Sequence, residues 1–209
     1  IQLAVIPIGT GNDWVKTYNI PAKIEKSILN IKKGKSIFQD IGKLITNNNT
    51  ITYFNNVAGL GYDGYVVNKL KKLKRFGGIA YLLSGISGLL FYKKTDFKIE
   101  INNQTIINKC LMTIFGICKF SGGGMQFTKD VNSTDGLLDI TIAKNLTFVD
   151  LILNLPKLYN GKIVNHKKVT TYKTTHLKVT PVLNSDKPFI QADGELINSG
   201  SVEVSIIKN

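Results

Sequence analysis

The chain has 209 residues, long enough for one large domain or two small ones, and a hydrophobic fraction of 43% supplies a sizeable core. Lys and Arg number 27 against 14 Asp and Glu; the net charge of +13 points to anionic partners (nucleotide phosphates, an anionic membrane surface or nucleic acid) or to a Lys-rich soluble surface. With only His166 and His176 beside Cys110 and Cys118, and no CxxC, a zinc cluster is excluded; on one continuous strand the two cysteines lie roughly 26 Å apart, too far to bond, which fits a reducing cytosol. No signal peptide opens the chain and it does not begin with Met, so a piece of a larger protein is expected.

Residues 3–8 read as a short buried strand that breaks into Gly9-Thr10-Gly11, after which Asn12 and Asp13 open a helix. A strand, a Gly-rich turn and a helix start put several free amides in one place, with the positive end of the helix dipole behind them, so phosphate suits the spot. The run is neither a P-loop nor a dinucleotide fingerprint. It reads equally as a plain strand-to-helix turn with Asn12 or Asp13 as N-cap.

Residues 21–33 follow as a helix with Ile24, Ile28, Leu29 and Ile31 inward and Gly34 past its end. Strands over 36–46 and 51–60 flank Asn47-Asn48-Asn49 and form a hairpin with Asp40 on its first arm. A lysine-studded helix covers 65–74. The uncharged run 77–92 has 16 residues, short of the roughly 20 a membrane span needs, and its apolar spacing favours a core-facing or groove-forming helix. Strands are predicted over 96–101, 105–119, 136–143, 169–172, 176–182, 189–192 and 202–207, a Gly-rich loop over 121–134, and a helix interrupted by Pro156 over 147–159. The fold class is α+β: a mainly antiparallel β-sandwich with a few helices over 35–209, preceded over 1–34 by the last strand–loop–helix of an α/β nucleotide-binding domain.

In so basic a chain each placed carboxylate counts. Asp13 follows the phosphate-type turn; Asp40 sits in a strand, where acids are unusual; Asp193 and Glu195 flank Gly194. Gathered in space, they would form a chelating and base-forming cluster suited to phosphoryl transfer. Singly, Asp40 reads as an edge residue facing water and Asp193-Gly194 as a hairpin turn. Asn132-Ser133-Thr134-Asp135-Gly136-Leu137 reads as an Asx-turn or a hard-cation loop.

Gly9-Thr10-Gly11-Asn12-Asp13-Trp14 resembles the Gly-Thr-x-Asn-Asp-Phe motif of bacterial diacylglycerol-kinase-like lipid kinases, which share a fold with sphingosine kinases and, more distantly, NAD kinases. Further matches follow in order: Asp40-Ile41-Gly42-Lys43, Asn56-Val57-Ala58-Gly59-Leu60-Gly61-Tyr62-Asp63, Gly122-Gly123-Gly124, Asp135-Gly136-Leu137-Leu138-Asp139 and Asp193-Gly194-Glu195. The resemblance implies ATP bound in a cleft between an N-terminal α/β domain and a β-rich domain, with Gly9, Thr10, Gly11 and Asn12 against the nucleotide. It implies Asp13 and Asp40 in an Asp–water–Mg²⁺ network, Glu195 or its neighbour Asp193 as proton acceptor, and Asn132, Asp135 and Leu137 as a structural Mg²⁺ site. Two features depart from the family pattern: the Gly-Gly-Asp-Gly-Thr loop is absent, and Lys129-Asp130 stand where relatives often show Pro-x-Ala.

The expected function is therefore ATP-dependent phosphorylation of a lipid hydroxyl by a cytoplasmic enzyme peripheral to the membrane, with this chain a C-terminal portion inactive alone. An anionic membrane surface is the expected partner, met by the apolar helix over 79–90 and its Lys-rich neighbour over 69–75, and a homodimer is left open. The rivals are a NAD-kinase-type phosphotransferase and a non-catalytic anion-binding β domain; clustered aromatic–basic repeats are absent, which argues against nucleic acid.

Overall fold

The computed structural model describes residues 2–9, 11–70, 85, 88–183 and 186–209. Thr10, most of the predicted 77–92 helix, the end of the 65–74 helix and part of the turn over 184–188 lie outside the described residues.

Every strand pairing among the described residues is antiparallel. β1 (Ile41–Thr46) and β2 (Ile51–Phe54) form the expected hairpin, with Asn49 left-handed in its turn. The long second arm is two strands. The chain bends at Asn55 and Asn56, and β3 (Val57–Gly61) leaves β2 to pair elsewhere. β3 is buried at every position, so its sequence, Val-Ala-Gly-Leu-Gly, shows no polar alternation. α3 (Tyr62–Leu70) starts directly from its end.

The long strand β5 (Gln104–Gly116) joins two wings. Its first half pairs with β4 (Thr95–Ile101), its second half runs between β3 and β8 (Leu138–Lys144), and a register shift between Cys110 and Met112 marks the change. One wing reads β12 (Glu195–Ser199), β11 (Phe189–Ala192), β3, β5, β8 and β9 (Val169–Thr174). The other reads β5, β4, β10 (His176–Pro181), β13 (Val202–Ile207), β1 and β2. Leu44, Phe97, Phe115, Ile140, Val179 and Val204, drawn from both wings, share one core, the interior of a β-sandwich. A second apolar cluster takes Val57, Met112 and Ile114 from β3 and β5 and covers them with Tyr62, Leu89 and Leu151.

The helix expected over 147–159 is two: α4 (Phe148–Leu153) and α5 (Leu155–Tyr159), with the break at Asn154 and Pro156 in the first turn of α5, where its missing N–H costs nothing.

Three expectations need correction. Residues 3–8 are not a buried strand: no ladder partner joins them among the described residues, and Leu3 and Ile8 are 71% and 83% exposed. α2 (Ile24–Lys32) forms where its period predicts, but Ile24, Ile28, Leu29 and Ile31 are exposed and only Ser27 is buried. Periodicity sets which side chains share a face and says nothing about what covers it. The strand over 36–46 begins only at Ile41; Ile37 and Phe38 lie outside it, exposed. β12 was not expected; its short Glu-Leu-Ile-Asn-Ser run carries little alternation.

Candidate functional site

α1 (Asp13–Thr17) begins after Asn12, which is left-handed (φ 48°) and donates its side-chain amide back to the Gly9 carbonyl at 2.5 Å; it makes no side-chain cap. Asp13 faces two donors, the Lys16 ammonium at 2.8 Å and the Gly123 amide at 2.7 Å. Gly123 lies in the run 122–124, left-handed throughout, which joins β6 (Phe120–Ser121) to β7 (Met125–Gln126). Two of the sequence motifs, 110 residues apart, thus meet through one hydrogen bond.

The inner side of α1 rests on Gln39. Trp14 donates its indole N–H to Gln39 Oε1 at 2.8 Å, the Tyr18 hydroxyl donates to the same oxygen, and Gln39 Nε2 donates to the Asn55 carbonyl at 2.5 Å. The Tyr18 oxygen also lies 3.1 Å from the Ser133 hydroxyl, from which it can accept, and 3.6 Å from Cys118 Sγ. Burial pushes the Tyr18 hydroxyl well above its ordinary value, so it stays a proton donor.

Asp40 does not face water: at 1% exposure its carboxylate accepts from the backbone amides of Gly136 at 2.7 Å and Asn209 at 3.0 Å, while its own amide donates to the Ser133 carbonyl at 2.8 Å. It ties the start of β1 to the loop over 132–137. In that loop Asn132 Oδ1 accepts from Thr134, and Asp135 forms an Asx-turn with the Leu137 amide at 3.0 Å. The second oxygen of Asp135 meets Lys173 Nζ at 2.9 Å; Lys173 also reaches Asp139, its cross-strand partner, at 3.4 Å. Burial raises the Asp139 carboxyl to about 6 against the pull of Lys173.

The Asp193-Gly194 turn between β11 and β12 has both residues at positive φ (49° and 81°), the pattern of a tight hairpin turn. Asp193 does more than turn the chain. Its carboxylate accepts from the amides of Asn55 at 2.8 Å, Asn56 at 3.0 Å and Val57 at 3.1 Å, and its own amide donates to the Val57 carbonyl at 3.0 Å. Burial of the carboxyl raises it above its ordinary value, and the three amides offset that rise only in part. Behind the turn, Gln191 accepts from the Gly194 amide at 2.9 Å and donates to Asp63 Oδ2. Burial raises the Asp63 carboxyl to about 6. Gly59 makes room for it: a Cβ there would sit 2.2 Å from Asp63 Oδ2. Glu195, next in the chain, is exposed, and no described hydrogen bond or ion pair engages it.

Asp13 therefore meets 122–124, Asp40 meets 133–136, Asp193 meets 55–57, and Gln39 links the first assembly to the third. No described hydrogen bond or ion pair joins Asp13, Asp40 and Glu195 to one another, and no group of three or more His, Cys, Asp or Glu among the described residues is close enough to hold a metal ion. Sequence reasoning missed Gln39 and Gln191, whose amides carry no local signal. Asp63 belongs to the Asn56–Asp63 motif; its signal is an acid four residues after Gly59, the central glycine of β3.

Comparison with known proteins gives the family and the fold. The family model described as "YegS C-terminal NAD kinase beta sandwich-like domain" matches residues 56–208, and that of the "Diacylglycerol kinase catalytic domain" matches residues 1–44. The chain is 27% identical over 212 residues to a diacylglycerol kinase of Mycobacterium tuberculosis (99% of this chain, 67% of the relative) and 28% identical over 200 residues to one of Bacillus subtilis (92% and 62%). It is 27% identical over 207 residues to a "Probable lipid kinase YegS-like" of Yersinia pestis (98% and 66%). A crystal structure of a putative diacylglycerol kinase from Bacillus anthracis superposes with a TM-score of 0.74 at 22% identity, covering 99% of this chain and 67% of that one, and so shares the fold. The chain spans about two thirds of the length of these relatives.

Proposed function

The chain belongs to the family of diacylglycerol kinases and YegS-like lipid kinases, and from that premise we propose that it is the β-rich portion of an enzyme that transfers the γ-phosphoryl group of ATP to a lipid hydroxyl. Residues 1–34 would complete the nucleotide-binding part and 35–209 carry the acceptor side. The lipid hydroxyl oxygen forms the new P–O bond, the bond between the γ-phosphorus and the bridging oxygen breaks, ADP leaves, and the hydroxyl proton passes to Glu195. One observation carries this reading: folding ties together motif segments that lie far apart in sequence, Asp13 with Gly123, Asp40 with Gly136 and Asp193 with residues 55–57.

The same geometry supports different roles for the two acids of the hairpin. A carboxylate whose two oxygens already hold three backbone amides is a clamp, with little room to approach a lipid hydroxyl. Asp193 would fix the turn, leaving Glu195 to take the proton. Asp40, both oxygens engaged and buried, would position the 133–136 loop. Mg²⁺ is held mainly by phosphates and water with one or two carboxylates, and Asp13 would supply such a hard oxygen. When bound, the ion would neutralise phosphate charge. Gly9, Gly11 and Asn12, with Thr10, would line the phosphates. Asn132, Asp135 and Leu137 would hold a second, structural Mg²⁺ only if Asp135 exchanges Lys173 for it.

The test uses the intact protein with labelled ATP and either diacylglycerol or NAD. Lipid phosphorylation is expected, and Glu195→Gln should lower kcat at least a hundredfold with the fold intact. NAD as sole acceptor would make it a NAD-kinase-type enzyme; unchanged turnover by Glu195→Gln would remove Glu195 as base.

A further inference from the structure

Away from the candidate site, α4 presents an apolar face with no cover among the described residues. Phe148 and Leu151 pack into the second apolar cluster, while Val149, Ile152 and Leu153 are exposed, Leu153 at 74%. Leu89 belongs to the same cluster, and the next two residues, Leu90 and Phe91, are exposed, Phe91 at 82%. Lys94 donates to the Asn145 side chain at 2.7 Å, so the segment 89–94 lies beside the start of α4. Five large apolar side chains from two segments thus stand outside one cluster.

Lysines outnumber carboxylates beside them: Lys94 feels Lys168 and Lys109 as well as Asp150. The carboxylate of α4, Asp150, is taken by Lys168 at 2.5 Å and by the Thr147 amide and hydroxyl, each at 2.8 Å. The Lys168 contact, with the Thr147 amide, holds it well below the usual carboxylate range. Lys93, Lys94 and Lys157 enter no ion pair among the described residues. Apolar side chains bordered by lysines match the headgroup region of an anionic bilayer. A second copy of the same face would set lysines against lysines.

We propose that the α4 face, together with Leu90 and Phe91, docks on membranes that carry anionic headgroups, with Lys93, Lys94 and Lys157 at the headgroups. This deepens the lipid kinase reading, since the acceptor of such an enzyme resides in the bilayer, and it names a surface that shares Leu90 with the helix over 79–90 that the sequence offered and adds the face of α4. No helix among the described residues is long and apolar enough to cross a membrane, and this surface needs none.

The experiment is co-sedimentation of the intact protein with phosphatidylcholine vesicles, pure or containing about a third phosphatidylglycerol. Binding to the anionic vesicles is expected, weakening as salt rises, with little to the neutral ones. Phe91→Ser with Leu153→Ser should lower the partition coefficient at least tenfold while the thermal midpoint and the phosphorylation of a short-chain, water-soluble diacylglycerol stay unchanged. Lys93→Gln with Lys157→Gln should lower binding to anionic vesicles alone. Binding of the Phe91/Leu153 variant equal to wild type would overturn the proposal, and so would a wild-type dimer in sedimentation velocity that this variant dissociates. Wild-type protein that binds vesicles but phosphorylates no lipid would remove the kinase reading and leave the docking surface standing.

Discussion

Asp63 and Asp193 sit on either side of Gln191 and meet opposite surroundings. Asp193 holds three backbone amides at the entry to β3, whereas Asp63 has one amide donor, Gln191, in a buried setting under Gly59. Burial raises the Asp63 carboxyl from its ordinary 3.8 to about 6. A folded-state value above the unfolded one means that the contribution to stability is whole below about pH 4 and is lost as pH rises through about 6. Asp63→Asn keeps an oxygen for Gln191 and removes the titration. The variant is expected to gain ~1–2 kcal/mol on wild type as pH rises from about 4 to about 7, read by urea denaturation at each pH. Asp139 titrates over the same range and cancels in the difference; parallel stability curves for the two proteins would refute the buried charge. Asp193→Ala strands three amides at the start of β3 and is expected to cost ~2–4 kcal/mol on the same denaturation measurement. The sequence marked the carboxylates because charge is scarce in this chain and motifs hold them. It did not mark Gln39 or Gln191, because an amide that bridges two backbones acquires its role only when distant segments arrive.

At the scale of elements, the sequence read best where the signal was local. The β1–β2 hairpin, the β4–β5 pair and the stop at Asn154 and Pro156 each follow from a turn or breaker in the chain. Where an element needs a distant partner, reading failed: residues 3–8 and 36–40 have strand-like composition without a ladder to join, and the apolar stripe of α2 stays uncovered. β12 exists because β11 offers it an edge, which its own five residues do not announce. α4 shows local control most plainly. Thr147 accepts from the Asp150 amide at 3.2 Å, and Asp150 accepts in return from the Thr147 amide at 2.8 Å. Six residues form too short a helix to stand on propensity alone. Thr147→Ala is therefore expected to cost about 1 kcal/mol of stability, with faster hydrogen exchange confined to 148–153. A loss spread evenly over the sheet would place the cap's effect elsewhere.

Across the whole molecule, the sandwich and the charge pull in different directions. The long strand β5 commits both wings to one core, so the fold was legible as a class from its many short strands, while the strand order depends on a register shift at Cys110–Met112 that no local pattern reveals. The cysteine reading shared that limit. Cys118 lies past the end of β5, against Tyr18, and both thiols are free and buried, pushed to about 12 at Cys110 and about 11 at Cys118. The net charge of +13 acts on the entire surface. The ion pairs among the described residues leave most lysines without a carboxylate, so cation–cation repulsion opposes compaction. Screening that repulsion should stabilise the fold: the thermal midpoint is expected to rise by a few degrees between about 20 and 300 mM NaCl. Over the same range, binding to anionic vesicles should fall, because the charges that repel one another in solution are those that meet the headgroups. Opposite salt dependences of stability and membrane binding, measured on one preparation, are the signature of a surface whose charge serves a partner. A midpoint that is flat or falls with salt would show the lysines already compensated within the fold.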